Sequence, residues 1–190
     1  ATSVVFRTGL PKRFFDEEMK RPFSLREGEF DCGCVQTDSM AIDIRATLER
    51  YRFLAVANQE HLSDEADWCR KERIDGIVSD IVPFAFEVAA RVGVPAIGCT
   101  NFSWYDIYEP YATRYPSYSS EIEKIRHQYA QASLLLQLTP SEGMEYFPKR
   151  QSVPVVGRVG ADIRPELTTR LGINPSTRLG LIYPGTFGMN

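Results

Sequence analysis

Two kinds of hydrophobic pattern alternate along this chain. Short β-rich runs that are largely apolar occupy residues 3–8, 30–36, 76–79, 96–100, 133–138 and 178–183. Between most of them the apolar spacing lengthens. From residue 40 to 73, Ile44, Leu48, Tyr51, Ala55, Leu62, Ala66 and Cys69 recur at steps of mostly three, four or seven. The short runs are predicted strands. The long stretch is predicted to be one amphipathic helix, or two abutting ones, packed on a sheet.

Residues 74–100 form the clearest unit. A strand ends in Ser79-Asp80, a helix follows over 81–91, and Gly93-Val94-Pro95 leads into another strand. Asp80 is placed to cap the helix and Pro83 is tolerated in its first turn. Gly93 suits a left-handed stop, and Pro95 restarts an extended chain. Strands that are apolar throughout, without alternation, fit a parallel sheet covered on both faces. The unit therefore reads as a β-α-β crossover, and the chain as an α/β protein with a Rossmann-like, doubly wound, mainly parallel sheet. Ligands in such sheets bind beyond the carboxyl ends of the strands, so functional residues should follow strands. Residues 121–127 read as a solvated, charge-interleaved helix, and the tyrosine-rich stretch 105–118 as packing and surface. A short helix at 167–171, stopped by Gly172, precedes a loop at Asn174-Pro175-Ser176. The expected division is residues 1–157 as one domain, 158–177 as a linker, and 178–190 as the start of a second domain.

Composition narrows the function. At 190 residues, with 43% hydrophobic and 25% charged residues and a net charge of −3, the chain is a globular domain, and neither a disordered tail nor a basic nucleic-acid binder. Its longest apolar stretches fall far short of the roughly 18 residues of a membrane span. Residues 1–6 enter a strand without the tract of a secretory signal. Four cysteines, at positions 32, 34, 69 and 99, are too few for a disulfide scaffold. The spacing of Cys32-Gly33-Cys34 is wrong for a zinc knuckle. Reduced thiols and a cytoplasmic setting are expected, with no metal and no cofactor.

Two post-strand segments are the leading site candidates. Ser79 and Asp80 would face the crevice, although helix capping explains an Asp there equally well. Residues 100–104, Thr-Asn-Phe-Ser-Trp, put amide, hydroxyl and indole donors beside aromatic surface, the mixed lining a sugar requires. Ser103-Trp104-Tyr105-Asp106 also matches a loose capping box. Asn101 has no such alternative, and replacing it or Trp104 by Ala is expected to cut sugar binding with little loss of stability. Residues 30–36 form a third candidate, in which Gly33 permits a bulge or a close backbone approach, and Cys32 is read as a small buried residue. Residues 181–188 run from a strand into a Gly-containing loop that matches neither common phosphate-binding fingerprint.

The runs Asp31-Cys-Gly-Cys-Val-Gln36, Ile77-Val-Ser-Asp-Ile-Val-Pro83, Val94-Pro95 and Thr100-Asn-Phe-Ser-Trp104, followed by Ile107-Tyr108, together resemble the N-terminal region of L-arabinokinases and related predicted B-type glycosyltransferases. The resemblance covers nearly the whole chain. It implies the first half of a two-Rossmann-domain enzyme whose N-terminal domain holds the acceptor and whose second domain holds the nucleotide-sugar donor. By position it places Ser79, Asp80, Asn101, Phe102, Ser103 and Trp104 in the cleft, with Asp31 and Gln36 near its rim. Gly185 and Thr186 fall where the donor domain's Gly-rich loop begins. Among the residues present, Asp80 is the one expected to act as general base in transfer to a sugar-containing acceptor. The alternative is a non-catalytic sugar-binding or regulatory module of an arabinokinase-like protein. Residues 3–8 align with the family's second strand, so its first strand and the His-bearing loop after it have no counterpart here. The strands around Val5 and Val78 should then flank a gap, closed by direct pairing, by a longer polypeptide or by another chain.

Overall fold

The computed structural model describes residues 3–181 except Ser39, Glu142, Val155 and Arg158. Its elements run β1 (Val4–Thr8), α1 (Arg13–Asp16), β2 (Phe23–Glu27), α2 (Ile44–Lys71), β3 (Ile77–Ser79), α3 (Phe84–Val92), β4 (Ala96–Thr100), α4 (Trp104–Arg114), a 3-10 turn (Pro116–Tyr118), α5 (Ser119–Tyr129), β5 (Leu134–Leu138), β6 (Arg150–Val153) and α6 (Arg164–Leu171). The strands make two all-parallel sheets, β1-β2 and β3-β4-β5-β6. This is the Rossmann-like α/β architecture expected from the alternation.

The long helix is a single one. Nothing between residues 44 and 71 is Gly or Pro, and Asp43 caps its start by accepting from Ala46 N–H at 2.9 Å. Leu48, Tyr51, Ala66 and Cys69 are buried along it. Gly93 and Gly172 end α3 and α6 in the left-handed conformation, at φ 86° and 63°. Ser103 caps α4, accepting from Asp106 N–H at 3.1 Å while its hydroxyl donates to Asp106 Oδ2 at 2.8 Å.

Asp80, by contrast, does not cap α3. The helix starts later, with Pro83 at its N-cap and no side-chain cap. A tight turn delays it. Val82 N–H donates to Asp80 O across Ile81, and Ser79 Oγ donates to Val82 O. Ile81 holds φ 68° there, a conformation that costs a β-branched residue about 1–3 kcal/mol. The Tyr129 hydroxyl anchors this turn by donating to Ile81 O, and it accepts Trp104 N–H at 3.3 Å. Tyr129 is 0% exposed. One buried hydroxyl thus ties the turn after β3 to the start of α4. Tyr129→Phe should therefore cost about 1–3 kcal/mol, measured by urea unfolding, because it strands buried backbone groups.

Two expected strands are not strands. Residues 30–36 form a loop whose backbone is satisfied by helix side chains. Asn58 Nδ2 donates to Phe30 O, the Tyr108 hydroxyl donates to Gly33 O, and Val35 N–H donates to Thr47 Oγ1. Only Gln36 makes an isolated bridge, to Ile42. Residues 178–181 are irregular, and Leu181 is exposed; the rest of that expected strand lies outside the described residues. Two strands went unread. β2 carries Ser24, Arg26 and Glu27, and β6 is an edge strand of sequence Arg-Gln-Ser-Val, so neither looks like an apolar core run.

Most of the core lies on one face of the larger sheet. There Phe86, Ala89, Ala96, Ile122, Ile125, Tyr129 and Leu135 pack with Leu48, Tyr51 and Tyr108. Tyr108 and Tyr118 are buried and Tyr105, Tyr111 and Tyr115 pack against this cluster, so the tyrosine-rich stretch is chiefly packing material. The smaller sheet is covered on one face by its own connecting helix and attached to α2 by the other. Phe15 of α1 stacks on Phe6 at 4.4 Å, with Phe23 beside it at 5.5 Å from Phe6. On the other face the paired Arg7 and Arg26 reach Glu65 of α2 at 2.7 and 2.6 Å. No described helix is long and apolar enough to cross a membrane.

Candidate functional site

The carboxyl ends of β1 and β2 and the turn after β3 surround a hollow of about 480 Å³. Arg7, Thr8 and Gly9 come from the end of β1, residues 28–33 from the loop after β2, Arg50 from α2, and Val82 from the turn after β3. This is the crevice in which α/β sheets bind ligands. Its walls mix two guanidinium groups, the carboxylates of Glu29 and Asp31, and the Phe30 ring.

Asp31 is the focus of this wall. Trp104 Nε1 donates to its Oδ2 at 3.0 Å, joining the loop after β2 to the loop after β4. Burial pushes the Asp31 carboxyl above its usual range; the Trp104 hydrogen bond partly offsets this, and the negative charges of Asp80 and Glu29 add to it. The indole is itself fixed, stacked on Tyr108 at 5.6 Å and met edge-on by Phe102 at 5.5 Å. Gly33 is required here by its backbone conformation, not by a bulge or a close approach. Its φ is 58°, and a Cβ there would meet the Trp104 ring at 3.7 Å.

The remaining candidates divide. Asp80 is exposed, its charge acts on Asp31, and its carboxylate makes no hydrogen bond among the described residues. Asn101 is exposed and Phe102 is 39% exposed on the loop after β4; neither belongs to the walls of the hollow. Ser79 and Ser103 are buried, at 4% and 0%, and their hydroxyls are occupied locally, Ser103 also with the Tyr146 hydroxyl. Gln36 is exposed beside the start of α2 and is not on the walls. Gly185 and Thr186 lie outside the described residues. Cys32 has its Sγ 3.9 Å from the Tyr108 oxygen, and burial pushes its thiol up, as it does for Cys34, which disfavours a thiolate nucleophile at either.

Arg7 and Arg50 were not read from the sequence. For Arg7 a signal existed, a lone cation inside an apolar strand; for Arg50, one charge among many on a long helix, there was none. The packing of Trp104 also changes the expected effect of its substitution. Trp104→Ala should cost about 3 kcal/mol by loss of packing, whereas Trp104→Phe keeps the stack and removes only the donor to Asp31. A phenylalanine variant as unstable in urea as the alanine variant would show that the hydrogen bond outweighs the stack.

No family model matches the chain, and no solved structure matches it. Among curated proteins, L-arabinokinase of Arabidopsis thaliana is 35% identical to it over 170 residues, 87% of this chain. The chain spans 16% of that protein's length. Over those residues the chain is related to an arabinokinase-like protein.

Proposed function

We propose that this chain is the acceptor-side, sugar-binding domain of an enzyme that transfers a sugar from a nucleotide-sugar donor. The observation that carries the reading is the Asp31–Trp104 pair at the carboxyl-end hollow. A carboxylate of raised basicity, held by an indole in a hollow whose walls also carry Arg7 and Arg50, suits a polyhydroxylated ligand. In the reaction the acceptor hydroxyl gives its proton to a carboxylate, its oxygen bonds to the anomeric carbon, and the nucleoside diphosphate leaves with the bonding pair. Asp31 is better placed as this base than Asp80, because it lines the hollow, half-buried and oriented, while Asp80 is exposed and not among the lining residues. Residues 158–177 would link to a donor domain beginning at 178, with Gly185 and Thr186 near the diphosphate.

A second reading is supported by the relative's name and length: a sugar-binding module without transfer chemistry inside an arabinokinase-like protein. One assay on the complete gene product separates them. With UDP-galactose, UDP-glucose or UDP-arabinose, acceptor-stimulated release of UDP is expected under the first reading. Under the second, calorimetric titration with L-arabinose shows binding that Asp31→Asn removes, with no UDP release. Absence of both sinks the two together.

A further inference from the structure

The charged groups on the walls of the hollow divide into engaged and free. Arg7 is engaged: its Nε and Nη2 donate to Glu65 at 3.2 and 2.7 Å, its Nη1 donates to Arg26 O at 3.3 Å, and the guanidinium lies over the Phe30 ring at 4.6 Å. It is also pressed onto the chain, since a Cβ at Gly28 would overlap it. Arg50 is the opposite case. It reaches the hollow from α2, is exposed, and makes no hydrogen bond or ion pair among the described residues. Glu29 is likewise without a partner among them, and Asp31 has only its Oδ2 engaged, by Trp104.

The free groups of opposite sign are kept apart. The charge of Arg50 reaches the Cys32 thiol, whereas the charges acting on Asp31 are those of Asp80 and Glu29. An anion is therefore repelled at the Asp31 end of the hollow and attracted at the Arg50 end. The carboxylates do not bar it from the hollow as a whole, because Arg7 and Arg26 share the one carboxylate of Glu65 and leave a positive charge uncancelled beside it. Stacking has little room. Phe30 is already covered by Arg7 and packed against Phe84 at 5.1 Å, which leaves Leu10 and Val82 as the large apolar side chains of the wall.

We infer that the sugar taken by this hollow carries an anionic group, a carboxylate or a phosphate, which Arg50 holds while Glu29 and Asp31 accept from the sugar's hydroxyls. The inference rests on the sugar-binding reading above and narrows it to a uronic acid or a phosphorylated sugar. A guanidinium presents its donors as a planar fork that fits two oxygens of a carboxylate or phosphate at once, and such charge-assisted pairs are roughly twice as strong as bonds to neutral groups. Arg50 is thereby a specificity residue. It sorts acidic from neutral sugars, and the carboxylates at the other end fix which way round the ligand lies.

The test titrates the complete gene product calorimetrically with galactose, galacturonate and galactose 6-phosphate, and with the matching glucose series, so that within each series only the group on the sixth carbon changes. An acidic sugar that binds at least about 10-fold tighter than its neutral parent, with that ratio falling below about 2-fold in Arg50→Gln, is the expected result. The uronate and phosphate arms identify which anionic group is taken. Equal or weaker affinity for the acidic members of both series overturns the inference. So does a ratio that Arg50→Gln leaves unchanged, or binding of acetate or inorganic phosphate as tight as that of the acidic sugars. In each of these cases, neutral-sugar binding that Asp31→Asn removes still upholds the sugar-binding reading, whereas no sugar binding at all sinks both.

Discussion

Exchanging Asp31 for Asn in the complete protein is expected to lower transfer activity or sugar affinity by about 100-fold or more, while stability at pH 7 holds or rises. The two effects have one cause. Burial holds the folded-state carboxyl above the ordinary 3.8, so the folded protein binds this proton more tightly than the unfolded chain does. The stability linked to that proton is full below the ordinary value and is lost as pH rises through the folded pKa. At neutral pH the wild-type therefore carries an ionised, half-buried group at a cost. Asn is neutral, nearly isosteric and still accepts from Trp104 Nε1, so the variant's melting temperature should be flatter with pH over the acid limb. A variant that melts several degrees lower at pH 7, with activity falling in proportion, would make Asp31 a structural residue.

Glu65→Ala should give a large loss of stability, about 3 kcal/mol in urea unfolding. Glu65 is a buried carboxylate shared by Arg7 and Arg26, and removing it leaves two partly buried guanidinium groups without their counter-charge. Removing one partner of a buried pair typically costs about 3–5 kcal/mol; at 26% and 31% exposure, the arginines recover some hydration, which favours the lower end. The functional consequence follows from geometry. Arg7 is also a wall of the hollow, so loosening β1 from α2 should weaken sugar binding as well. Glu65→Gln, which keeps the volume and one hydrogen-bond acceptor, should fall between wild-type and alanine. A change below about 0.5 kcal/mol would place the attachment of the small sheet in the stacking of Arg7 on Phe30 and of Arg26 on Trp68 instead.

The contrast between Ser103 and Asp80 shows how far local patterns reach. Both precede a helix and both have a capping side chain. Ser103 caps because Asp106 lies three residues on and the backbone at Ser103 is extended. Asp80 does not, because the turn at Ile81 is held by Tyr129, 48 residues away. Strand reading failed in a related way. Residues 30–36 have strand-like composition, but side chains from α2 and α4 reach the backbone before another strand can. β2 is polar because its inward Arg26 is neutralised by Glu65, 39 residues on.

By itself the sequence determined what forms within a few residues of chain: the amphipathic helical stretch of α2, the stops at Gly93 and Gly172, the cap at Ser103, and the parallel β3-α3-β4 unit. Only the tertiary structure decided which post-strand residues share a site. Asp31 meets Trp104 across 73 residues, while Ser79 and Ser103, which looked equally suitable, are turned inward to local bonds. The reason is physical: helix caps, turns and periodicity act over about four residues, whereas a crevice is assembled by contacts whose partners' separation leaves no mark on the local pattern.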